Sequence, residues 1–429
     1  MSRGTITRRG FMKGAAAAIG APYVVSSLAL GGQGGLPASE RIGMGFIGLG
    51  GRGRGILPHF LRPGLSECIA VCDVWKSRRE AVRQQLQGRC AAYGDFRELV
   101  ARTDIDAVVI ATPDHWHVLH AIAAVKSGKD VFCEKPLSLT VQEGRALSDA
   151  VKRYSRVFLH GTHQRSFGGF RFACELVRNG RIGQLHTIRV CERGSSPDNP
   201  RRPMSAPPDL DYDMWLGQAP LIPYVGQSVG GGTWMYRSDY TAGFISGCGV
   251  HPLDIAQWGN GTDRTGPVEI EGRGVFPNEG FNDTAIDWHV ECTYANGVKL
   301  IFTSTHRDVN SPEVGARFEG TQGWVQAQGN AASVLAEPAS LLRSVIGPDE
   351  VHLYRSEQHA MNFLECIRSR TETIAPAEVA HRSTTICLLS DIAIRLGRKL
   401  RWDPQREQFI QDDEANRMLS RAMRPPWSL

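Results

Sequence analysis

Several features that would mark a specialised class of protein are scarce in this chain. Its ten cysteines form no C-x-x-C pair and show no paired metal-ligand spacing, so we predict neither a zinc site nor disulfides. The net charge is only +5 over 429 residues, and the basic residues beyond the first few are spread out. No nucleic-acid partner is therefore indicated. There are no internal repeats.

A long hydrophobic run is also missing. The apolar stretch Gly14–Leu30 contains Pro22 and is too short and too weakly apolar for a stable membrane span. It follows TITRRGFMK at positions 5–13, which matches the twin-arginine export pattern. A chance Arg-Arg pair in a disordered tail is the alternative. We predict that residues 1–38 are a signal peptide and linker, read by the twin-arginine translocase, and that the protein is periplasmic or otherwise exported.

The most informative stretch is IGMGFIGLGGRGRG, residues 42–55. An apolar run is followed by Gly48, Gly50 and Gly53 in the spacing G-x-G-x-x-G, ahead of a helix-compatible segment. In a dinucleotide site the first glycine makes a tight turn, the second lets backbone approach phosphate, and the third lets the helix pack on the strand. Because the chain has 47 glycines, a glycine-rich surface turn is the alternative.

An acidic residue at the expected distance supports the nucleotide interpretation. A second apolar run ends in Asp73, twenty residues after Gly53, where such folds place the acid that accepts hydrogen bonds from the adenosine ribose. A carboxylate there would repel a 2′-phosphate, so we predict NAD as the cofactor. The basic stretch KSRR at 76–79 softens that repulsion and keeps NADP as the alternative.

Strand and helix patterns alternate over residues 40–160, which predicts an NAD-binding Rossmann domain, an α/β fold with a doubly wound parallel sheet. Residues 161–397 read as a second α/β domain with a large, mainly antiparallel sheet. Residues 398–429 read as a charged tail that wraps back on the body or lies at an interface. Ligands of a doubly wound sheet bind beyond the carboxyl ends of the strands, where Thr112–His117 and Glu134–Pro136 fall.

Five segments together resemble the Gfo/Idh/MocA family of nicotinamide-dependent oxidoreductases. They are IGLGGRG (47–53), CDVW (72–75), ATPDHWH (111–117), CEKPLS (133–138) and GVHPLDIAQW (249–258). The resemblance covers essentially everything after residue 40. It implies oxidation or reduction of a carbinol on a sugar, a cyclitol or a derivative, and a homo-oligomer joined through the open sheet.

Lys135 is the first candidate catalytic residue. It follows a buried strand, stands between Glu134 and Pro136, and its ammonium can hold a reacting hydroxyl and lower that group's pKa. The EKP motif resembles the family's catalytic or substrate-positioning lysine. An ordinary loop lysine is the alternative.

His251 and Asp254 are the other candidate catalytic residues. They are three positions apart, so on a helix they face one way. The resemblance implies that His251 accepts the hydroxyl proton, and without it a structural histidine would be the better interpretation. The family commonly has an aspartate four residues before this histidine, where this chain has Gly247.

The remaining candidates line a predicted cofactor and substrate cleft. The resemblance sets the loop containing Thr112, His115 and His117 against the nicotinamide end, and solvent exposure is the alternative for His115. His163 and Arg165 follow the last Rossmann strand, and Arg165 is a candidate hydroxyl or carboxylate clamp. The aromatic rings can stack on a sugar or pack in the core. The predicted cofactor-binding set also includes Arg52, Glu134 and Lys135, and the substrate set also includes Trp234 and Tyr236.

Three functions are compatible with these motifs. The first is an exported oxidoreductase that holds its NAD tightly, because free NAD is scarce outside the cytoplasm. The second is a glycosidase or lyase in which transient oxidation acidifies a neighbouring C–H, elimination follows, and the cofactor is reoxidised in place. The third is a nucleotide-binding protein that has lost catalysis. Fold alone does not choose among them.

Overall fold

The computed structural model describes residues 37, 40–197, 201–226, 229, 232–307, 314–329 and 333–429. The predicted signal peptide and linker lie almost entirely outside the described residues. Within the described part of the chain, no helix has the length and apolar character needed to cross a bilayer.

Residues 42–160 form a six-stranded, all-parallel sheet in the order β3-β2-β1-β4-β5-β6. Its elements in chain order are β1 (Ile42–Ile47), α1 (Gly51–Phe60), β2 (Ser66–Cys72), α2 (Lys76–Gln85), β3 (Ala91–Tyr93), α3 (Phe96–Val100), β4 (Ala107–Ile110), α4 (Asp114–Lys126), β5 (Asp130–Cys133), α5 (Val141–Arg153) and β6 (Phe158–His160).

The central strands of this sheet are buried along their whole length. Every residue of β1, β4 and β5 is buried, as expected for parallel strands with helices on both faces. The strand order reverses at β1, which pairs with β2 on one side and β4 on the other. That reversal opens a crevice at the carboxyl edge of the sheet, where ligands of such folds bind.

A turn and a helix lead into the second sheet. Its elements are α6 (Gly168–Arg178), β7 (Leu185–Arg193), α7 (Tyr212–Leu216), α8 (Phe244–Gly247), α9 (Val250–Asn260), β8 (Glu269–Val275), β9 (Asp287–Thr293), β10 (Lys299–Thr305), β11 (Gly315–Gly320), β12 (Gly323–Gln328), β13 (Ser333–Glu337), α10 (His359–Ser369), α11 (Ala377–Leu396), β14 (Leu400–Asp403), β15 (Gln408–Phe409) and α12 (Asp413–Arg417). Short 3₁₀ turns cover His163–Ser166, Thr233–Tyr236 and Ala339–Arg343.

The second sheet has nine strands in the order β13-β12-β11-β7-β10-β9-β8-β14-β15. Its pairs are antiparallel except β7 with β10, which run parallel. Alternate residues on the central strands are buried, among them Val190, Leu300 and Phe318. The helices α9 and α11 pack on this apolar face, so the opposite face of the sheet is the more exposed one.

The predicted fold class is confirmed: a parallel Rossmann-type sheet precedes an α/β region with a large, mostly antiparallel sheet. The hairpin predicted around Gly320 and Gly323 is the β11–β12 pair. The segment 398–429 contributes β14 to the second sheet, where Leu400 pairs with Ile270 of β8. Its last residues return to the first half of the chain.

Candidate active site and nucleotide cleft

A cavity of about 610 Å³ lies along the carboxyl edge of the first sheet and reaches α8 of the second region. It brings together many of the predicted residues. Those that line it are Gly48, Gly50, Arg52, Asp73, Thr112, Glu134, Lys135 and Trp234, together with Gly247.

The glycine-rich turn forms one end of this cavity. Gly48 has a φ of +89°, and a Cβ there would lie 2.6 Å from the Ala111 carbonyl oxygen. A Cβ on Gly53 would lie 1.9 Å from the Gly48 oxygen, so only glycine lets α1 approach β1 so closely. A Cβ on Gly50 would meet only the Arg78 guanidinium, 3.6 Å away. Gly50 is also the N-cap of α1 and supplies no side-chain cap, so the first helical N–H groups are free to bind an anion.

Asp73 lies beside this turn and is almost fully buried. One carboxylate oxygen accepts the Leu49 N–H at 2.6 Å and the other accepts the Trp75 N–H at 2.8 Å. Burial raises the pKa of Asp73, while these two N–H donors and the nearby Arg78 act in the opposite sense. Each oxygen keeps a lone pair for a hydroxyl donor in the cavity. Arg78, which also lines the cavity, stacks 4.8 Å from the Trp75 ring.

Arg52 and Glu134 join the glycine-rich turn to the EKP loop. The Arg52 Nε lies 2.5 Å from Glu134 Oε1, and the Glu134 side chain is buried while that of Arg52 is half exposed. The second Glu134 oxygen accepts the Lys135 backbone N–H at 3.2 Å. Glu134 therefore aligns the backbone that presents Lys135.

Lys135 points across the cavity to α8. Its Nζ donates to the Gly247 carbonyl oxygen at 2.5 Å. A Cβ on Gly247 would meet no atom within 4 Å, and its φ is not left-handed. The glycine is thus not required by backbone strain or crowding, and its effect is to leave open space in the cavity wall beside Lys135.

His117 connects the loops that follow β4 and β5. Its ring is buried, with Nδ1 2.6 Å from the Pro136 carbonyl oxygen and Nε2 2.9 Å from the Thr112 carbonyl oxygen. It does not line the cavity. The geometry supports a positioning role, since the ring sets the spacing of the two loops that carry Thr112 and Lys135.

His115 is buried rather than exposed. Its Nε2 lies 3.0 Å from the Trp215 carbonyl oxygen, and its ring packs between Trp215 and Tyr240. Burial lowers the pKa of His115 to about 4, so the ring is neutral near pH 7. The structure places it behind the cavity wall, without direct access to a ligand in the cavity.

His163 and His251 face each other across the contact between the 163–166 turn and α9. Their ring centroids are 5.0 Å apart, and the Nδ1 atom of each is buried without a hydrogen-bond partner among the described residues. Burial and the nearby positive charge of Lys135 hold the pKa of His251 well below its usual value. The His251 ring is therefore neutral near pH 7, and neither His163 nor His251 is among the residues that line the cavity.

Arg165 and Asp254 lie at the same contact and form an ion pair with each other. The Arg165 Nε and Nη2 lie 2.7 and 2.9 Å from the two Asp254 carboxylate oxygens, and both side chains are fully buried. Ser383 donates to the same carboxylate at 2.7 Å, and Asp263 accepts from Arg165 at 3.3 Å. Asp254 does share a helix face with His251, but neither Asp254 nor Arg165 lines the cavity. The ion pair gives both side chains a structural partner, and the catalytic role of Asp254 and the clamp role of Arg165 stay predictions.

The two aromatic candidates differ in position. Trp234 lines the cavity, together with Met235. The Tyr236 ring packs 5.1 Å from Phe244 and does not line it, so Tyr236 supports the wall from behind.

Sequence reasoning missed Asp114, the first residue of α4. It lines the cavity, is 4% exposed, and accepts a hydrogen bond from the Thr241 hydroxyl at 2.7 Å. Burial raises the pKa of Asp114 to about 6, against the opposing charges of His117 and Lys135. Its place within ATPDHWH, directly after a strand end, was the available signal. Cys248 and the ring cluster of Phe96, Trp116 and His120 also line the cavity and were not singled out.

Comparison with known families agrees with this architecture. The model described as "Oxidoreductase family, NAD-binding Rossmann fold" matches residues 42–162. The model described as "Oxidoreductase family, C-terminal alpha/beta domain" matches residues 196–429. The chain belongs to the Gfo/Idh/MocA oxidoreductase family and has the family's NAD-binding fold.

Individual relatives are similar over part of the chain. Myo-inositol 2-dehydrogenase of Thermotoga maritima is 33% identical over 143 residues, which are 33% of this chain and 40% of that protein. Alpha-N-acetylgalactosaminidase of Shewanella oneidensis is 32% identical over 157 residues, 35% of this chain and 34% of that protein. The chain thus aligns with well under half the length of these relatives.

Solved structures extend the likeness of fold. The WlbA dehydrogenase of Bordetella pertussis, in complex with NADH and UDP-GlcNAcA, superposes with a TM-score of 0.63. The sequences are 15% identical, and the match covers 85% of this chain and 99% of that one. At this identity the comparison shows a shared fold.

Proposed function

We propose that this protein is an NAD-dependent oxidoreductase that acts on a carbinol or carbonyl group of a sugar, a cyclitol or a derivative. The observation that carries the proposal is the single cavity in which Gly50 and Asp73 lie at one end and Lys135 reaches Gly247 at the other. One end has the chemistry to bind a dinucleotide, and the other has the chemistry to handle a hydroxyl.

The residues at the first end fit a nicotinamide dinucleotide. The open face of Gly50 and the uncapped start of α1 would bind the pyrophosphate, and the free lone pairs of Asp73 would bind the ribose hydroxyls. When bound, the nicotinamide ring supplies the acceptor or donor of hydride. We propose NAD because Asp73 is a buried carboxylate, and Arg78 in the same wall keeps NADP as the alternative.

At the other end the chain's own residues handle the hydroxyl and its proton. Lys135 donates to the reacting oxygen and is oriented by Glu134 and the Gly247 carbonyl. His251 is the proton acceptor that the family resemblance implies; its Nδ1 is buried without a partner among the described residues, and its ring lies behind the residues that line the cavity. Asp114 also lines the cavity. Its carboxylate would take the place of the aspartate that the family commonly has at the position of Gly247.

A redox-assisted glycosidase or lyase is the second candidate. The Shewanella relative named alpha-N-acetylgalactosaminidase favours it, as does the open space at Gly247, which leaves room beside Lys135 for a substituent on the sugar. A catalytically silent nucleotide-binding protein is less well supported, because two contacts hold Lys135 in the cavity, one from Glu134 to its backbone N–H and one from its ammonium to the Gly247 carbonyl oxygen.

We further propose that the protein is exported through the twin-arginine route with its nucleotide already tightly bound, and that it forms a homo-oligomer through the open face of the second sheet. The support is the TITRRGFMK segment and the exposed outer face of the nine-stranded sheet. Replacing Arg8 and Arg9 by lysine should retain the protein in the cytoplasmic fraction. Unchanged export would contradict the proposed route.

The function is tested by following absorbance at 340 nm when the purified protein, without added NAD, is mixed with a panel of sugars, cyclitols and glycosides. We expect a rise stoichiometric with protein for the correct substrate class. Product formation without a net rise would favour the glycosidase or lyase. Neither product nor a rise, after NAD or NADP has been added back, would contradict both.

A further inference from the structure

The last residues of the chain, 418–429, which we call the tail segment, pack against the cavity wall. The Leu419 carbonyl oxygen accepts the Gln142 N–H of α5 at 3.1 Å. Arg421 donates to the Ser238 carbonyl oxygen of the second region. The segment therefore contacts both the first sheet's helix α5 and the loop that precedes α8 in the second region.

Arg424 fixes the middle of the tail segment to the loop after α7. Its backbone N–H donates to the Gln218 oxygen at 2.9 Å, and its Nε donates to the Gly217 oxygen at 2.9 Å. Its Nη1 lies 2.6 Å from the carboxylate of Asp213, a residue of α7 itself. These contacts hold the tail segment against α7 and the loop after it, three residues before Trp427.

Trp427, three residues later, packs on the aromatic cluster Phe96, Trp116 and His120, which we call the aromatic wall. The Trp427 ring centroid is 4.8 Å from that of Trp116, nearly perpendicular, and 6.2 Å from that of Phe96. Within the wall, Trp116 stacks on His120 at 4.5 Å and an angle of 9°. Arg97 lies over the outer face of Trp427, 5.6 Å from its centroid.

All three residues of the aromatic wall line the cavity, whereas Trp427 does not. Phe96 follows β3, the neighbour of β2 in the sheet, whereas Trp116 and His120 lie on α4, which follows β4 on the other side of β1. The wall is therefore built from both sides of the point where the strand order reverses. Gly217 touches Trp116 so closely that a Cβ there would lie 2.2 Å from its ring. The ring of Trp116 is thus held between Gly217 and Trp427, both of which are positioned by Arg424.

We propose that the tail segment is a brace for the nucleotide cavity: Trp427 holds the aromatic wall in place against a dinucleotide bound there. Trp427 is a positioning residue that acts through Trp116. The inference rests on the proposed nucleotide site, and it assigns slow release of the nucleotide to a segment remote from Lys135.

The test is the rate at which NADH leaves the full-length protein, followed by its fluorescence after dilution into excess NAD. Removing the Trp427 ring removes an edge contact and frees Trp116, so Trp427→Ala should release NADH about tenfold faster. Trp427→Phe keeps the ring contact and should stay within about threefold of the parent. Arg424→Ala, which releases the anchor while keeping the ring, should lie between them.

Trp324→Ala is the matched control. Trp324 is a half-buried tryptophan of β12 with Arg317 stacked on its ring at 4.0 Å, and it lies outside the cavity lining. We expect Trp427→Ala and Trp324→Ala to lower the melting temperature of the nucleotide-free protein by similar amounts, while only the former speeds release. Equal release rates for Trp427→Ala, Arg424→Ala and the control would overturn the proposal. Because the readout is release and not turnover, a protein that binds NADH but oxidises no sugar would contradict the proposed function alone.

Discussion

The glycine-rich turn after β1, residues 48–53, which we call the cradle, presents backbone to the cavity, whereas the contact between the 163–166 turn and α9 is made of side chains. In the cradle, Gly50 leaves space and the start of α1 leaves N–H groups free. In the side-chain contact, Arg165 and Asp254 neutralise each other, and the Nδ1 atoms of His163 and His251 have no hydrogen-bond partner among the described residues.

The difference follows from the cost of burying polar groups. The first backbone N–H groups of a helix have no acceptor within the helix, so a site made of them is open to a ligand. A buried guanidinium or carboxylate requires a partner within the fold. The charged residues at the side-chain contact therefore hold His251 in place, while the cradle faces the cavity.

We expect the largest effect on turnover from a change at Lys135, which reaches across the cavity to α8. Lys135→Ala removes the ammonium that reaches Gly247, and turnover should fall by about 10²–10⁴-fold. The bound nucleotide should remain, since the cradle is untouched. Kinetics and mass spectrometry of the bound nucleotide measure the two quantities. Lys126→Ala, an exposed lysine at the end of α4, is the control, and near-normal turnover for Lys135→Ala would remove this residue from the mechanism.

The second prediction concerns the buried ion pair between Arg165 and Asp254. Arg165→Ala leaves the buried Asp254 carboxylate without its main partner, so the free energy of unfolding should fall by about 3–5 kcal/mol. Urea unfolding measures it. Arg355→Ala, which breaks the fully exposed pair with Glu357, should not shift the midpoint. Unchanged stability together with a raised KM would instead restore Arg165 as the substrate clamp predicted from sequence.

The third prediction concerns Asp114, which links α4 to the second region through Thr241. Its pKa of about 6, against an ordinary 3.8, means that the folded chain binds more protons than the unfolded chain between these pH values. Stability contributed by this group therefore falls as pH rises through that window. Asp114→Asn removes the fall, so its stability should gain on the parent by up to about 3 kcal/mol between pH ~4 and ~6.

Unfolding at several pH values checks this prediction. The exposed acid Asp349, changed to asparagine, is the control and should show no such gain. A parallel pH dependence for Asp114→Asn and the parent would show that Asp114 is already ionised at low pH.

We expect the smallest effect from a change at Asp73, which lies beside the cradle and should alter nucleotide affinity. Asp73→Ala removes the carboxylate that accepts the Leu49 and Trp75 N–H groups. NAD binding should weaken about tenfold, as for loss of a charged hydrogen bond, and binding of NADP relative to NAD should improve. Calorimetric titration with both nucleotides measures the ratio. An unchanged ratio would assign the choice of nucleotide to Arg78 or another residue of the wall.

The fold was predictable because its signals are local. The glycine spacing, the apolar runs of β1 and β4 and the alternation of strand and helix are each visible over a few residues. The mutual pairing of Arg165 and Asp254 was not, since they are 89 positions apart and either could have faced a ligand. Nor was the use of Trp427, whose contact with Trp116 depends on where the chain goes after β15.

The central claim is that hydride passes between the substrate carbon and a nucleotide in this cavity. The most direct test uses a substrate deuterated at the carbinol carbon, mixed with the protein in a single turnover. The nucleotide is then recovered and its mass is measured. From the parent protein we expect to recover a nicotinamide dinucleotide that carries one deuterium from the substrate. From Lys135→Ala we expect the nucleotide to carry none. Product formed by the parent protein with an unlabelled nucleotide would contradict it.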